Sequence, residues 1–272
     1  MESLSLKEKT HRHNYNQEGN FLVCSCGKKI LKLEQEGKEG MLIGKRSNGS
    51  GYSVRTDRRR YFFPQEWINF IKQITNKEHR FFFLTCLHTG GRIMEVLNLR
   101  YKDIDLDREV VTFSVVKQRK AKKNFATGKS RSFFLASNFI REYKTLIRTK
   151  IISPELVNSE NYIFLNNEKL PKNYNELDNS ERKKYYTSKV VSYSRILKGR
   201  AKKSGIKDWH NFSPHNLRKT YGMWMRTFNK EMSELCYRMG HDMDTYLAHY
   251  GSSLIFTESD RRLIQQIMGD VK

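Results

Sequence analysis

From position 61 onward, apolar side chains return at helical spacing; before it they do not. Phe63-Pro64-Gln65-Glu66 opens a predicted helix with proline in its first turn, and Trp67, Phe70, Ile71 and Ile74 follow on one face. A second helix spans about Glu78 to His88 and stops at Gly90-Gly91, and a third begins near Arg92 with Val96 and Leu97 turned inward. The period then changes. Residues 109–116 are rich in β-branched side chains and read as a strand, with 132–135 as its partner, so that 117–131 becomes the loop of a β-hairpin. Helical spacing resumes over 137–151 (Phe139, Tyr143, Leu146, Ile147) and over 187–204 (Val190, Val191, Ile196, Leu197), where Gly205 stops it. Pro214 opens a helix through about Thr227, and short helices follow at about 231–239 and 243–250. Thr257 is the expected N-cap of a last helix ending at Gly269, whose stripe of Leu263, Ile264, Ile267 and Met268 suits either its own domain or a neighbouring protomer. Residues 1–60 are rich in glycine and charge, with weak periodicity and no internal repeat. The expected architecture is a mainly α domain with a small antiparallel β-sheet over 61–272, preceded by a short basic N-terminal region over 1–60.

Charge narrows the class. Lys and Arg number 51 against 29 Asp and Glu in 272 residues, a formal net charge of +22. An excess of that size points to a polyanionic partner. It is also segregated. Residues 117–131 hold seven basic side chains and no acid, and 182–203 hold nine and no acid, whereas 231–260 hold six acids and one Arg. One cationic face against a neutral or acidic back is the pattern of a nucleic-acid binder, not of a uniformly solvated surface. The 16 Phe and 14 Tyr supply a core and exclude a disordered basic tail. No apolar run approaches the roughly 20 residues that span a bilayer. The first residues lack the apolar stretch of a signal peptide. Four Cys in a chain this long do not make a disulfide scaffold. The expectation is an intracellular DNA- or RNA-binding protein without membrane contact.

Candidate chemistry is sparse. His11-x-His13 and Cys24-x-Cys26 together supply four zinc-type donors, but Cys-x-Cys is tighter than finger spacing and the His pair comes first; a short hairpin with a glycine turn explains the segment as well. There is no phosphate-binding P-loop, no dinucleotide glycine motif and no acidic cluster of the kind that holds Mg²⁺, since Asp103-x-Asp105-x-Asp107 and Asp242-x-Asp244 read as a turn and a helix start. A DNA-processing site would then take its positive charge from side chains. Arg92 follows the double glycine with Glu95 one turn on, placed to orient its guanidinium. His215 and Arg218 stand three apart at a helix N-terminus, a geometry that holds one phosphate from two directions. Gly240-His241 lies between two short helices, and Tyr250 follows nine residues later. A phenol with pKa near 10 becomes a nucleophile only when cations stabilise its anion or a base takes its proton.

The series Gly91-Arg92-x-x-Glu95, His215-x-x-Arg218, Gly240-His241 and Tyr250 resembles the tyrosine recombinase (phage integrase) family in order and spacing, over about residues 61 to 255. Phe63-Pro64-Gln65-Glu66 is similar to the entry of that family's catalytic domain, and Leu99-x-x-x-Asp103-Ile104-Asp105 to the segment leading into its hairpin. No single box is specific; the combination is. The resemblance implies the catalytic-domain fold shared with type IB topoisomerases. It implies that Arg92 and Arg218 clamp a scissile phosphate, that His215 and His241 hydrogen-bond it and manage the proton of the nucleophile, and that Tyr250 attacks to leave a 3′-phosphotyrosyl link. A hairpin lysine would protonate the leaving 5′-oxygen: Lys117 matches best, with Lys120, Lys122 and Lys123 as rivals. Tyr246, one turn before Tyr250, is the rival nucleophile, and its ordinary reading is core or DNA contact. The family implies action without ATP or a required metal, on double-stranded DNA, as a homo-oligomer expected to be a tetramer. DNA contacts are expected from Arg58, Arg59, Arg60, Lys120, Lys122, Lys123, Lys129, Arg131 and Lys219. Relaxation of the topoisomerase kind and DNA binding without catalysis are the alternatives. Family members usually add a helical N-terminal clamp, which residues 1–60 do not resemble.

Overall fold

A computed structural model describes residues 15–18, 21–24, 29–31, 41–45, 51–55, 61–114, 130–177, 179–207, 209–228, 230–240, 243, 246 and 256–271. The chain divides into two compact units, Met1–Arg59 and Arg60–Lys272.

The first unit is built of strands. β1 (Tyr15–Glu18), β2 (Phe21–Cys24) and β3 (Lys29–Leu31) pair antiparallel in that order, with Tyr15 opposite Cys24 and Phe21 opposite Leu31. β4 (Met41–Lys45) and β5 (Gly51–Arg55) form a second antiparallel pair, Met41 opposite Arg55. β2 and β3, which flank the segment after Cys24, pair antiparallel. The pairing of β4 with β5 was not among the expected elements.

The second unit is mainly α. α1 (Pro64–Lys72) starts with proline at its first position and buries Trp67, Phe70 and Ile71. α2 (Lys77–Thr89) is capped by Asn76, whose side chain accepts the backbone N–H of His79 at 2.9 Å. Every residue from Phe81 to Thr89 is buried, so this stretch of α2 is packed on all sides. It ends at Gly90 in the left-handed region (φ 59°). There a Cβ would lie 2.2 Å from the Tyr221 ring, so only glycine fits both the dihedral and the space. α3 (Ile93–Leu97) follows. The sheet comes next: β6 (Ile104–Asp105), β7 (Val110–Ser114) and β8 (Ser130–Phe134), antiparallel in that order, with Phe113 opposite Arg131. Asp105 accepts the backbone N–H groups of Asp107 and Arg108, so this acidic triplet makes a turn.

α4 (Ser137–Arg148) stops short of the expected end at 151, and Lys150 takes a positive φ of 54°. α5 (Asn179–Lys203) is longer at its start than the aliphatic spacing implies. Tyr186, Tyr193, Leu197 and Ala201 form its inward stripe, and Tyr193 stacks on Phe82 of α2 with centroids 3.6 Å apart. α6 (Pro214–Met225) and α7 (Met232–Met239) precede the last helix, α8 (Glu258–Met268), which is capped by Thr257 through Asp260. The entry to the unit is pinned to α6: the Phe62 N–H donates to Thr220 Oγ1 at 2.9 Å, and Trp224 Nε1 donates to the Phe62 carbonyl at 3.0 Å. Of the two placements open for α8, the structure takes the first. Ile264 and Met268 are wholly buried against the chain's own core, and Asn138 Nδ2 donates to the Gln266 and Ile267 carbonyls. Among the described residues no helix is long and apolar enough to cross a membrane.

Candidate active site

The double glycine after α2 sets the floor of the site. Gly91 packs so tightly that a Cβ would meet Phe113 and Val96 at 2.8 Å. The turn brings Arg92 to the start of α3, where its backbone N–H donates to Glu95 Oε2 at 2.7 Å. Its Nη1 donates to Oε1 of the same carboxylate at 3.0 Å, so Glu95 orients the guanidinium as the spacing implies. Arg92 keeps 30% of its side chain exposed, while Glu95 is 2% exposed.

Glu95 does more than hold Arg92. Arg131, on the inward face of β8, donates Nη1 to Oε1 at 2.9 Å and Nη2 to Oε2 at 2.6 Å. Arg218, from α6, brings Nη1 to 3.9 Å from Oε2. Burial pushes the Glu95 carboxyl up, but hydrogen bonding from Arg131, its charge and the contacts of Arg92 outweigh that and hold the pKa down at about 2. Three guanidinium groups from three distant segments therefore meet on one ionised carboxylate.

The same three arginines converge a second time, on the C-terminus of α7. Arg131 Nε donates to the Arg238 carbonyl at 2.9 Å, Arg218 Nη2 to the Met239 carbonyl, and Arg92 Nη2 to the Gly240 carbonyl at 3.0 Å. A helix C-terminus presents unsatisfied carbonyls with partial negative charge, so cations are favourable there. Arg218 also donates Nη1 to the Gly90 carbonyl at 2.7 Å, which ties α6 to the end of α2. Gly240 closes α7 in the left-handed region (φ 57°), one residue before His241.

α6 begins where the sequence places it. Pro214 takes the first position, and Asn216 Oδ1 accepts both the backbone N–H and the hydroxyl of Ser213. His215 is exposed in the first turn, Lys219 is half-buried, and Arg218 is buried at 1%. His215 and Arg218 share the start of one helix, but only the imidazole faces outward. Tyr246 is fully buried and its hydroxyl donates to the Gly222 carbonyl at 2.8 Å, so it belongs to the core.

One expected DNA contact is corrected. Arg131 is 4% exposed, with its guanidinium committed to Glu95 and the Arg238 carbonyl, so it is not a surface cation. The signal was in the alternation of β8: Arg131 shares its face with the inward Phe133, two residues on. Lys117, Lys120, Lys122, Lys123, Lys129, His241 and Tyr250 lie outside the described residues, as do Arg58, Arg59, Arg60, His11, His13 and Cys26. Cys24 is placed by its backbone alone, in β2. Among the described residues no group of three or more His, Cys, Asp or Glu is placed to hold a metal ion.

Comparison with known proteins gives one family. No curated protein matches the chain. Among solved structures, the Tn1549 transposon integrase in complex with transposon right end DNA is 18% identical, with a TM-score of 0.50 over 82% of this chain and 70% of that one. XerA recombinase is 17% identical, with a TM-score of 0.49 over 78% and 66%. The integrase from mycobacterium phage Brujita is 12% identical, with a TM-score of 0.47 over 80% and 62%. The chain thus spans about two thirds of the length of these structures, and at 18% identity the likeness to the Tn1549 integrase speaks to fold alone. The family described as phage integrase matches residues 64–254, from the first turn of α1 past position 250. With most of its length inside that match, the chain belongs to the phage integrase family.

Proposed function

We propose that this chain is a site-specific DNA recombinase that cleaves and rejoins duplex DNA through a 3′-phosphotyrosyl intermediate. The observation that carries the reading is the cluster on Glu95. Three guanidinium groups and one carboxylate carry two net positive charges, and Arg92 brings one of them to the surface. A phosphodiester bears one negative charge at rest and two in the pentacoordinate transition state, so this excess favours the transition state over the ground state.

In that site Arg92 holds the non-bridging oxygens, Arg218, buried behind it with its Nη atoms on the Gly90 and Met239 carbonyls, adds its charge from below, and His215 and His241 hydrogen-bond the same oxygens. The Tyr250 hydroxyl passes its proton to a histidine as its oxygen bonds to phosphorus. The bond from phosphorus to the 5′-oxygen breaks, and that oxygen takes a proton from Lys117 or a neighbouring hairpin lysine. The products are a 3′-phosphotyrosyl link and a 5′-hydroxyl. Attack by a 5′-hydroxyl of another strand reverses the step and joins the exchanged ends. One P–O bond forms as one breaks, so the cycle draws on neither ATP nor a required metal. Arg58, Arg59, Arg60, Lys120, Lys122, Lys123, Lys129 and Lys219 meet the DNA backbone, together with the exposed Lys183, Lys184, Arg195, Lys202 and Lys203 of α5. Four copies on two duplexes complete the exchange, as expected of this family. The solved Tn1549 integrase is itself held on DNA.

A pool of nicked duplexes with randomised arms, incubated with the protein in EDTA and resolved under denaturing conditions, tests this. Wild type should yield a covalent protein–DNA adduct that is absent in Tyr250→Phe and retained in Tyr246→Phe. No adduct from wild type overturns the recombinase reading. Loss in Tyr246→Phe alone overturns the choice of nucleophile.

A further inference from the structure

We infer that Arg131 is a positioning residue for the phosphate site: it balances the charge of Glu95, so that Arg92 is left to serve the phosphodiester, and it fixes the end of α7 that leads into His241. This rests on the recombinase reading above.

The geometry is specific. Arg131 takes both oxygens of Glu95 in a bidentate pair at 2.9 and 2.6 Å, whereas Arg92 reaches one oxygen through its side chain. With both groups about 4% exposed or less, the pair is shielded from water, and each depends on the other for its counter-charge. The Arg131 guanidinium lies over the Phe113 ring, 5.1 Å from its centroid, a further contact on its buried side. Without Arg131, the buried carboxylate has Arg92 as its nearest counter-ion, which draws that guanidinium inward and cancels its charge.

The second half of the role is mechanical. Arg131 lies on the β7–β8 hairpin, whose loop carries the candidate general acid Lys117. From there its Nε reaches the Arg238 carbonyl. A Cβ at Gly240 would lie 3.2 Å from Arg131 Nη1 and 3.6 Å from Arg92 Nη1, so glycine lets both guanidinium groups close on the turn. One side chain therefore joins the base of the hairpin, the Arg92–Glu95 box and the backbone just before His241.

The test uses the nicked duplex recovered from the randomised pool, and the same duplex with a methylphosphonate at the nick-adjacent scissile position. The methyl group removes one negative charge from the reacting centre, so a site short of positive charge is less penalised. Arg131→Met should bind the phosphodiester probe within about threefold of wild type and form adduct at least about tenfold more slowly, while losing under about threefold on the methylphosphonate. Adding Glu95→Gln should recover most of the lost rate, because the carboxylate that competes for Arg92 is gone. Equal losses on the two probes, or no loss on either, overturn the proposal. If Arg131→Met alone does not fold, the double variant decides, since it removes both members of the buried Arg131–Glu95 pair together. Adduct within about tenfold of wild type supports the proposal, and a folded but inactive double variant overturns it. A wild type that makes no adduct on any probe counts against the recombinase reading, not against the role of Arg131.

Discussion

His88 closes α2 with its ring against Phe139, centroids 5.7 Å apart, and only 4% of the residue is exposed. Among the described residues its Nδ1 has no hydrogen-bond partner, and burial lowers its pKa from 6.5 to about 3. The folded state therefore prefers the neutral ring. That preference contributes fully above pH 6.5 and is lost progressively as pH falls toward 3. Glu95 is depressed in the same sense, but its contribution is complete above pH 4.5 and fades only toward 2, so above pH 4.5 it leaves the His88 window undisturbed. Urea unfolding at pH 7.5 and pH 5 should show wild type losing about 2 kcal/mol more than His88→Gln over that interval. Equal losses would show that another group carries the dependence. At this scale the sequence was readable where partners are close in the chain. Arg92 and Glu95 stand three apart, and their pairing follows from helical spacing. Arg131 and Glu95 stand 36 apart, and a cation inside an acid-free basic run reads as surface unless its strand face is counted. Tyr246 and Tyr250 differ by one turn, which burial resolves for the first and spacing alone had to argue.

Helices were readable where their apolar positions repeat or their caps are explicit. Gly90, Pro214 and Thr257 mark ends or starts that the structure keeps. The first turns of α5 were missed because Lys183, Lys184, Thr187 and Ser188 surround its inward tyrosines, and a stripe of Tyr186 and Tyr193 is not an aliphatic repeat. The β4–β5 pair was missed although Asn48-Gly49, a strong hairpin turn signal, stands between its strands; their charge and glycine content obscured the alternation. The docking of α8 was undecidable from its stripe, because one apolar face fits an own core or a neighbour's equally well. Here it is fixed by more than apolar contact: the Ser137 N–H donates to the Asp270 carbonyl, and the Asp270 N–H donates to Ser137 Oγ, each at 2.9 Å. Ile264→Ala should cost about 2–5 kcal/mol, against less than about 0.5 kcal/mol for the exposed Gln265→Ala. Thermal midpoints should not change with protein concentration. A midpoint that rises with concentration would mean that this helix packs on a second copy.

At the scale of the whole chain, net charge was the most readable property and partner class followed from it. The exposed cations of α5 carry that charge along 25 residues of helix. If six to ten phosphates are neutralised, affinity for duplex DNA should fall by about 10³ to 10⁵ between 50 and 200 mM salt. A flat response, measured by fluorescence anisotropy, would remove DNA as the principal partner. What composition had no means of revealing is how far apart in the chain the parts of the arginine cluster lie. Arg92, Arg131 and Arg218 each bond a successive carbonyl of residues 238 to 240. During synthesis the first of those arginines leaves the ribosome long before the carbonyl it will hold. A chain that stops short of α7 therefore lacks the three carbonyls on which these arginines meet, and the cluster can close only after that helix has been made.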